Sequence, residues 1–492
     1  MKMDNTMKAL PFDFTQYDCR LYPASVNRMD DGGWAFMAEK DGEDLLIVMG
    51  SQAGEFKGRS FRNGAFNCVE ASLSAANAKT LRKKFPFTAP VPVLRRDRSF
   101  GLGDRLGIAG EGHLQAVDEY NAYPVLAQQS IRELDLTHRG YEDVLDAASW
   151  AVFRHGYRKG FGADGDHLKK PEEVEYALEL GFTMITLDCS EHIRSDVNDM
   201  SPEQAADECL LTDELKECYL DQHFDVGEGN VITFDEDSLR RCVLIYSKAV
   251  EFVSDIFKKY ISGKTDQVDF EVSIDETPTP TLPLQHYFVA NELLKRGVKI
   301  ATLAPRFCGE FQKGVDYIGD VDRFDSEMKV HAAIARHFGY KLSIHSGSDK
   351  FSVFSSIGKH TKGRFHVKTA GTSWLVAMQV VAETDPYLYR EVHKYALTSF
   401  EKAQKYYHVS TDITKIPDVD TMEDKDLPGL FSQNDARQLI HITYGFILSD
   451  KDDKGNFLFR DRLYALWHKN KELYVKHLKE HIGRHLELLC EG

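Results

Sequence analysis

The chain has no Cys-x-x-Cys pair, and its eight cysteines, at 19, 68, 189, 209, 218, 242, 308 and 490, are scattered. That spread argues against a disulfide framework or a zinc ribbon and fits reduced thiols in a cytoplasm. No stretch approaches the roughly 20 apolar residues that span a bilayer. Met1 to Phe14 lacks the continuous apolar centre and small-residue cleavage site of a secretory signal. Positive charge is also short, 61 Lys and Arg against 77 Asp and Glu, for a formal net charge of −16. Such a surface repels phosphate backbones and excludes a general nucleic-acid binder, but a local basic pocket can still hold a small anion. The dinucleotide fingerprint and the phosphate loop are missing too. Phe100–Gly107 spaces its glycines as G-x-G-x-x-x-G, so neither NAD nor ATP is expected.

What is present is a repeated pattern. Eight short apolar runs each stop at polar, ionisable residues: Gly103-Asp104-Arg105, Gln128-Gln129-Ser130, Asp166-His167, Asp188, Asp275-Glu276, Pro305-Arg306, His345-Ser346 and Lys368-Thr369. Most are separated by room for one helix. Strand and helix in alternation, with chemistry at one end of every strand, is the signature of a (β/α)8 TIM-like barrel. Phe270, Val272 and Ile274 alternate with Glu271, Ser273 and Asp275, so the apolar set should face helices and the polar set the lumen. A barrel takes roughly 250 residues, which leaves flanks in a chain of 492. We expect a β-rich accessory domain over 1–95, the barrel over 96–395 and a helical region over 396–492. Within the first, Asp30–Gly33 and Asp41-Gly42 read as hairpin turns and Asn67–Lys83 as a helix. The acidic stretch near 195–265 reads as an insertion overhanging the barrel mouth.

The strand ends carry the candidate chemistry. Gly160–Lys169 reads as a bend whose tip presents Asp164, Asp166, His167 and Lys169, with Asp164 open to a plain helix-capping role. His345 and His366 alternate out of phase with apolar neighbours and should point inward. One inward histidine is more often a bonded core residue than a ligand. Three at separate strand ends, His167, His345 and His366, with Glu271 also inward, suit a divalent metal: Zn, Mn, Fe, Co or Ni. His286 is weaker and is expected to begin a helix. Asp166, Asp188, Glu271, Asp275 and Glu276 are candidates for proton transfer, some of them serving only as ion-pair partners. Arg132, Arg306, Lys350 and Lys368 suit a carboxylate or several hydroxyls, and Gly347 and Gly371 could let the backbone approach a substrate.

At Phe100–Gly107, Ala127–Leu134, Gly162–Lys169, Phe270–Thr277, Ala304–Asp320, Ser343–Phe354 and Arg364–Trp374 the chain resembles the tagaturonate epimerase family. The resemblance implies a metal-dependent, cytoplasmic isomerase of hexuronate catabolism that interconverts D-tagaturonate and D-fructuronate at C4. Neither the C2 ketone nor the C6 carboxylate acidifies the C4 proton. Retro-aldol cleavage of C3–C4 through a metal-stabilised enediolate is therefore favoured over a redox route, which needs a hydride acceptor. On this reading His167, His345 and His366 hold the metal, and Asp166 and Glu271 act as base and acid in an order left open. Asp275 binds substrate, and Arg132, Arg306 or Lys368 clamps the carboxylate. The partner is a small sugar acid, compatible with a homo-oligomer. A barrel aldolase or ketose isomerase acting on a related acid, or a non-catalytic sugar-acid binding protein, are the rival readings.

Overall fold

The computed structural model describes residues 10–491. Residues 1–9 of the expected accessory domain and Gly492 of the expected C-terminal region lie outside them. Six antiparallel strands come first: β1 (Arg20–Leu21), β2 (Asn27–Arg28), β3 (Trp34–Lys40), β4 (Glu43–Met49), β5 (Gly58–Asn63) and β6 (Phe66–Ser72). They lie in the order β1-β3-β4-β6-β5, with β2 also on β3. The Asp30–Gly33 and Asp41-Gly42 turns join β2 to β3 and β3 to β4 as expected. Residues 34–38 and 45–49 are apolar almost throughout because both faces of the sheet are covered. Met37, Leu46 and Val48 pack on Ala78, Leu81 and Phe153. Phe36, Ile47 and Met49 pack beneath Phe12 and Tyr17. The expected helix over 67–83 is half strand: Phe66–Ser72 pairs with both β4 and β5, and the helix runs only over Ala75–Lys84.

Eight parallel strands then close a barrel: β7 (Arg98–Leu102), β8 (Tyr123–Ser130), β9 (Gly162–Leu168), β10 (Met184–Asp188), β13 (Asp269–Ile274), β14 (Thr302–Pro305), β15 (Lys341–Ile344) and β16 (Phe365–Thr369), with β16 returning to β7. Each ends at one of the eight polar clusters. Phe270, Val272 and Ile274 join the apolar layer under the helices, while Glu271 and Ser273 are buried in the lumen. The polypeptide between β10 and β13 contains the hairpin β11 (Phe224–Gly227) and β12 (Asn230–Ile232) and ends in the barrel helix Glu236–Ile256. This insertion does not overhang the mouth. Its hairpin packs on the outer helix Val321–Phe338, and Glu228 pairs with Arg336 and Lys362 at the helix ends, on the face away from the strand ends. Only its first residues reach the rim, where Asn198 donates to Thr279.

Helices Pro386–Ala403, Asn434–Ile442, Tyr444–Ser449, Arg460–Lys469 and Lys471–Glu491 complete the chain. The last lies across the barrel helices Gly110–Glu119 and Phe351–Thr361. Close approach is possible because a Cβ at Gly112 would stand 3.0 Å from Leu478. All eight cysteines are unpaired, and among the described residues no helix is long and apolar enough to cross a membrane.

Candidate active site

The lumen is built around one ammonium. Lys368, at the end of β16, places Nζ 2.7 Å from Asp164 Oδ2, 2.7 Å from Asp166 Oδ1 and 2.9 Å from Glu271 Oε1. It also donates to Thr186 Oγ at 2.5 Å. Burial opposes its charge, but the three carboxylates outweigh burial and hold it well above the ordinary lysine range. Asp164 and Asp166 share this cation and part in opposite directions. Burial pushes fully enclosed Asp164 up, whereas Lys368 and His167 overcome burial at Asp166 and hold it down.

Within Gly160–Lys169, Gly162–Leu168 is a strand, not a bend or turn. Period-2 alternation sends Asp164 and Asp166 to the lumen together, and Asp164 caps no helix: Thr186 and Lys368 are its partners. At the end of β9 the register against β10 shifts between Ile185 and Leu187, and His167 takes a left-handed backbone, φ +56°. Bulges of this kind re-aim a side chain. Here the imidazole turns to Asp188, with Nδ1 3.4 Å from Oδ2, and meets His345 edge to face at a 4.8 Å ring separation. His345 Nε2 lies 2.8 Å from Glu271 Oε1. Its buried Nδ1 stands 3.0 Å from Asp275 Oδ1, off a hydrogen-bond line. Burial works against a charge on His345, yet Asp275 and Glu271 raise it to about 10.

His366 does not join them. Its position pairs with Ser343 and Ser99, one layer deeper, and its Nδ1 lies 3.0 Å from Ser99 Oγ. Burial holds it neutral, down to about 3. Lys341 plugs the layer below, donating to Ser99 Oγ and the Arg96 carbonyl. Glu271 is also deep, its oxygens bonded to Thr186, Thr302 and His345.

Above this layer lie two adjoining cavities. An inner one of about 70 Å³ is lined by Asp166, His167, His345, Lys368, Arg132 and Lys313, among others. An outer one of about 560 Å³ shares Arg132, Lys313 and His345 and adds Asp275, Arg306 and Tyr406–His408. Arg132 donates to the Tyr406 carbonyl at 3.1 Å and lies 5.5 Å from the Tyr407 ring centre. Arg306 is tied to the Thr277 carbonyl and stands 3.6 Å from Glu310. Lys350 lies behind the wall, spending its protons on the Gln312, Val315 and Ser348 carbonyls. Lys368 is saturated by its own carboxylates and cannot serve as a clamp. Gly347 and Gly371 make room for protein: a Cβ would meet Val367 at 2.5 Å in one case and Arg105 at 2.6 Å in the other. His286, inside the helix Pro283–Lys295, bonds His331 and Tyr340. A cavity of about 710 Å³ between the N-terminal sheet and the last helices holds none of the strand-end residues.

Among the described residues one group places three candidate metal-ligand atoms within 4.8 Å of each other: Asp349, His481 and His485. It combines metal-donor types in a buried place, but hydrogen bonds already use its lone pairs. His485 Nε2 accepts the Asp349 N–H at 2.9 Å, Asp349 Oδ1 faces His481 Nε2 at 2.7 Å, and Arg437 lies 2.9 Å from Oδ2. The network binds the β15 loop to the C-terminal helices.

Sequence reading missed Lys313, which sits in the long loop after β14. That length was the available signal, since βα loops at this face of a barrel carry function. Tyr406–His408, from the helical extension, gave none.

The sequence profile of the tagaturonate epimerase family matches residues 22–489. The tagaturonate/fructuronate epimerase of Thermotoga maritima is 43% identical over 476 residues, 95% of this chain and 96% of that protein. Two structures of the fructuronate–tagaturonate epimerase of Cohnella laeviribosi superpose closely. The glycerol-bound one has a TM-score of 0.94 at 47% identity and the native one 0.93 at 46%, each covering 99% of both chains.

Proposed function

The chain belongs to the tagaturonate epimerase family, and on that premise we propose that it interconverts D-tagaturonate and D-fructuronate by inverting C4 through cleavage and re-formation of the C3–C4 bond. The observation that carries the reading is the near-full-length match to epimerases of these two acids. The strand-end cluster supports it. Asp166 is the lumen carboxylate that reaches the inner cavity, and it takes the C4 hydroxyl proton as C3–C4 breaks. The C4–C6 fragment becomes an aldehyde, and C1–C3 an enediolate. Rotation of the aldehyde presents its other face, the bond closes, and a proton returns to the C4 oxygen. The returning acid has to reach the cavity as well. Asp275 lines the outer part of it and Glu276 both parts; Glu271 lines neither, so we assign Glu271 to holding His345 and Lys368 in place.

The donor types at the rim suit a divalent cation, although these side chains do not bring three donor atoms within 4.8 Å of one another as Asp349, His481 and His485 do. His167, His345 and Asp275 offer two imidazoles and a carboxylate, and His345 Nδ1 is buried without a hydrogen-bond partner. His366 is replaced by Asp275 in this set because it lies a layer too deep. A bound cation would supply Lewis-acid neutralisation of oxygens that become negative during cleavage.

The test is fructuronate added to metal-stripped protein with single divalent ions restored, the products followed by NMR. Tagaturonate should form, and Asp166→Asn should lower kcat by roughly 10²- to 10⁴-fold with metal still bound. Net release of three-carbon fragments would make the protein an aldolase. A primary isotope effect from deuterium at C4 would replace carbon–carbon cleavage by hydride transfer.

A further inference from the structure

Most cations at the barrel mouth are already neutralised or bonded. Lys368 sits among three carboxylates, Arg306 faces Glu310, and Arg105 is paired with Glu133. Arg132 and Lys313 differ. Among the described residues neither has a carboxylate within 4 Å. Their polar contacts are a carbonyl, Tyr406 O, for Arg132 and a hydroxyl, Ser346 Oγ at 3.3 Å, for Lys313. Both line the inner cavity together with Asp166, Glu133, Glu276, His345 and Lys368, and Glu133 and Glu276 act on Lys313 from beyond ion-pair distance. Two cations without a direct ion pair, facing a small enclosed space, can receive an anion.

The receptor is held in shape from behind. The Lys313 carbonyl accepts from Gln438 Nε2 at 3.1 Å, and the Gln312 side chain accepts from the Ser410 N–H at 2.8 Å. Lys350 grips the Gln312 carbonyl, and Arg437 the Gly314 carbonyl at 2.7 Å. Four anchors across a few loop residues hold the backbone that carries the amine before any ligand arrives, which lowers the ordering cost of binding. Burial pushes the Lys313 ammonium below the ordinary lysine range, so an anion beside it would relieve a standing cost.

We propose that Lys313, paired with Arg132, receives the C6 carboxylate of the substrate and so selects sugar acids over neutral ketohexoses. The inference rests on the epimerase reading for its substrate. Ser346, between Lys313 and His345, sets the carboxylate end beside the reacting end, as a six-carbon acid requires.

The experiment compares full-length wild type with Lys313→Met, Lys313→Arg and Arg132→Met. Each is assayed for kcat and KM on D-fructuronate, and for the inhibition constant of D-fructose, which differs at C6 by a hydroxymethyl group. Losing one charge-assisted contact should raise the fructuronate KM roughly 10- to 100-fold in K313M and R132M, with kcat held within a few-fold. The fructose constant should stay unchanged, and K313R should recover most of the loss. Unchanged kinetics in K313M overturn the proposal. So does a fall in kcat at constant KM, or an equal weakening of fructose, since either places Lys313 at the reacting end or in the loop's structure. If wild type leaves fructuronate unconverted, the epimerase reading falls instead. Titration calorimetry with the same acid then reads the receptor directly: a tenfold weaker Kd in K313M supports it, and an equal Kd overturns it.

Discussion

The central strands of the N-terminal sheet and the barrel lumen are both buried, and they solve burial in opposite ways. In the sheet, Phe36, Met37, Leu46 and Ile47 are wholly enclosed among apolar neighbours on two faces. In the lumen the enclosed side chains are Asp164, Glu271, Lys368, His366 and Lys341. An apolar interior gains from transfer out of water whatever its exact partners. A charged one breaks even only when each charge is met, as Lys368 meets three carboxylates. The sheet therefore rests on burial alone, and the lumen keeps its charges only through their pairing.

The contrast is sharpest at Lys368. Replacing it by Met leaves three buried carboxylates without their cation. Turnover should vanish and stability should fall by about 3–5 kcal/mol, read by denaturant melts and activity on one preparation. In the sheet, Leu46→Ala should cost about 2–5 kcal/mol, yet turnover per folded molecule should match wild type. A matching loss of turnover there would erase the distinction between the two regions.

Acid should separate the regions more gently. His113, His331 and His393 are buried and held down to about 4, His366 and His485 to about 3, in each case by burial. Their folded pKa values lie below the ordinary 6.5, so the unfolded chain binds more protons. The stability this represents is complete above pH 6.5 and is lost as pH falls toward 4. Residues 1–95 contain no histidine. Hydrogen exchange stepped from pH 7 to 4.5, corrected for intrinsic rates, should show protection falling in β7–β16 and holding in β3, β4 and β6. The smallest effect belongs to Arg59→Ala. Its partner Glu70 lies 2.6 Å away, but the guanidinium side chain is 62% exposed, so the melting midpoint should stay within error of wild type.

The barrel was legible because each run stops at a polar residue, and that boundary survives errors in strand length. Alternation tells which face a side chain takes but not how deep it sits. His345 and His366 looked equivalent in sequence, yet they stand in different layers. Gly160–Lys169 reads as a bend because its glycines allow one, although pairing with β8 and β10 makes Gly162–Leu168 a strand. The segment 66–72 was merged with the following helix for the opposite reason: only pairing with β4 and β5 gives it away. The path of the insertion and the arrival of Tyr406–His408 at the mouth are tertiary facts with no local pattern.

The helix Lys471–Glu491 spans the first and seventh βα units, and strand β7 finds β16 only after more than half the chain has been made. On the ribosome, the N-terminal sheet can acquire its partners early, while a growing barrel carries an open edge at β7 and lumen carboxylates without their cation until β16 emerges. During synthesis the barrel therefore stays open for longer than the sheet that precedes it.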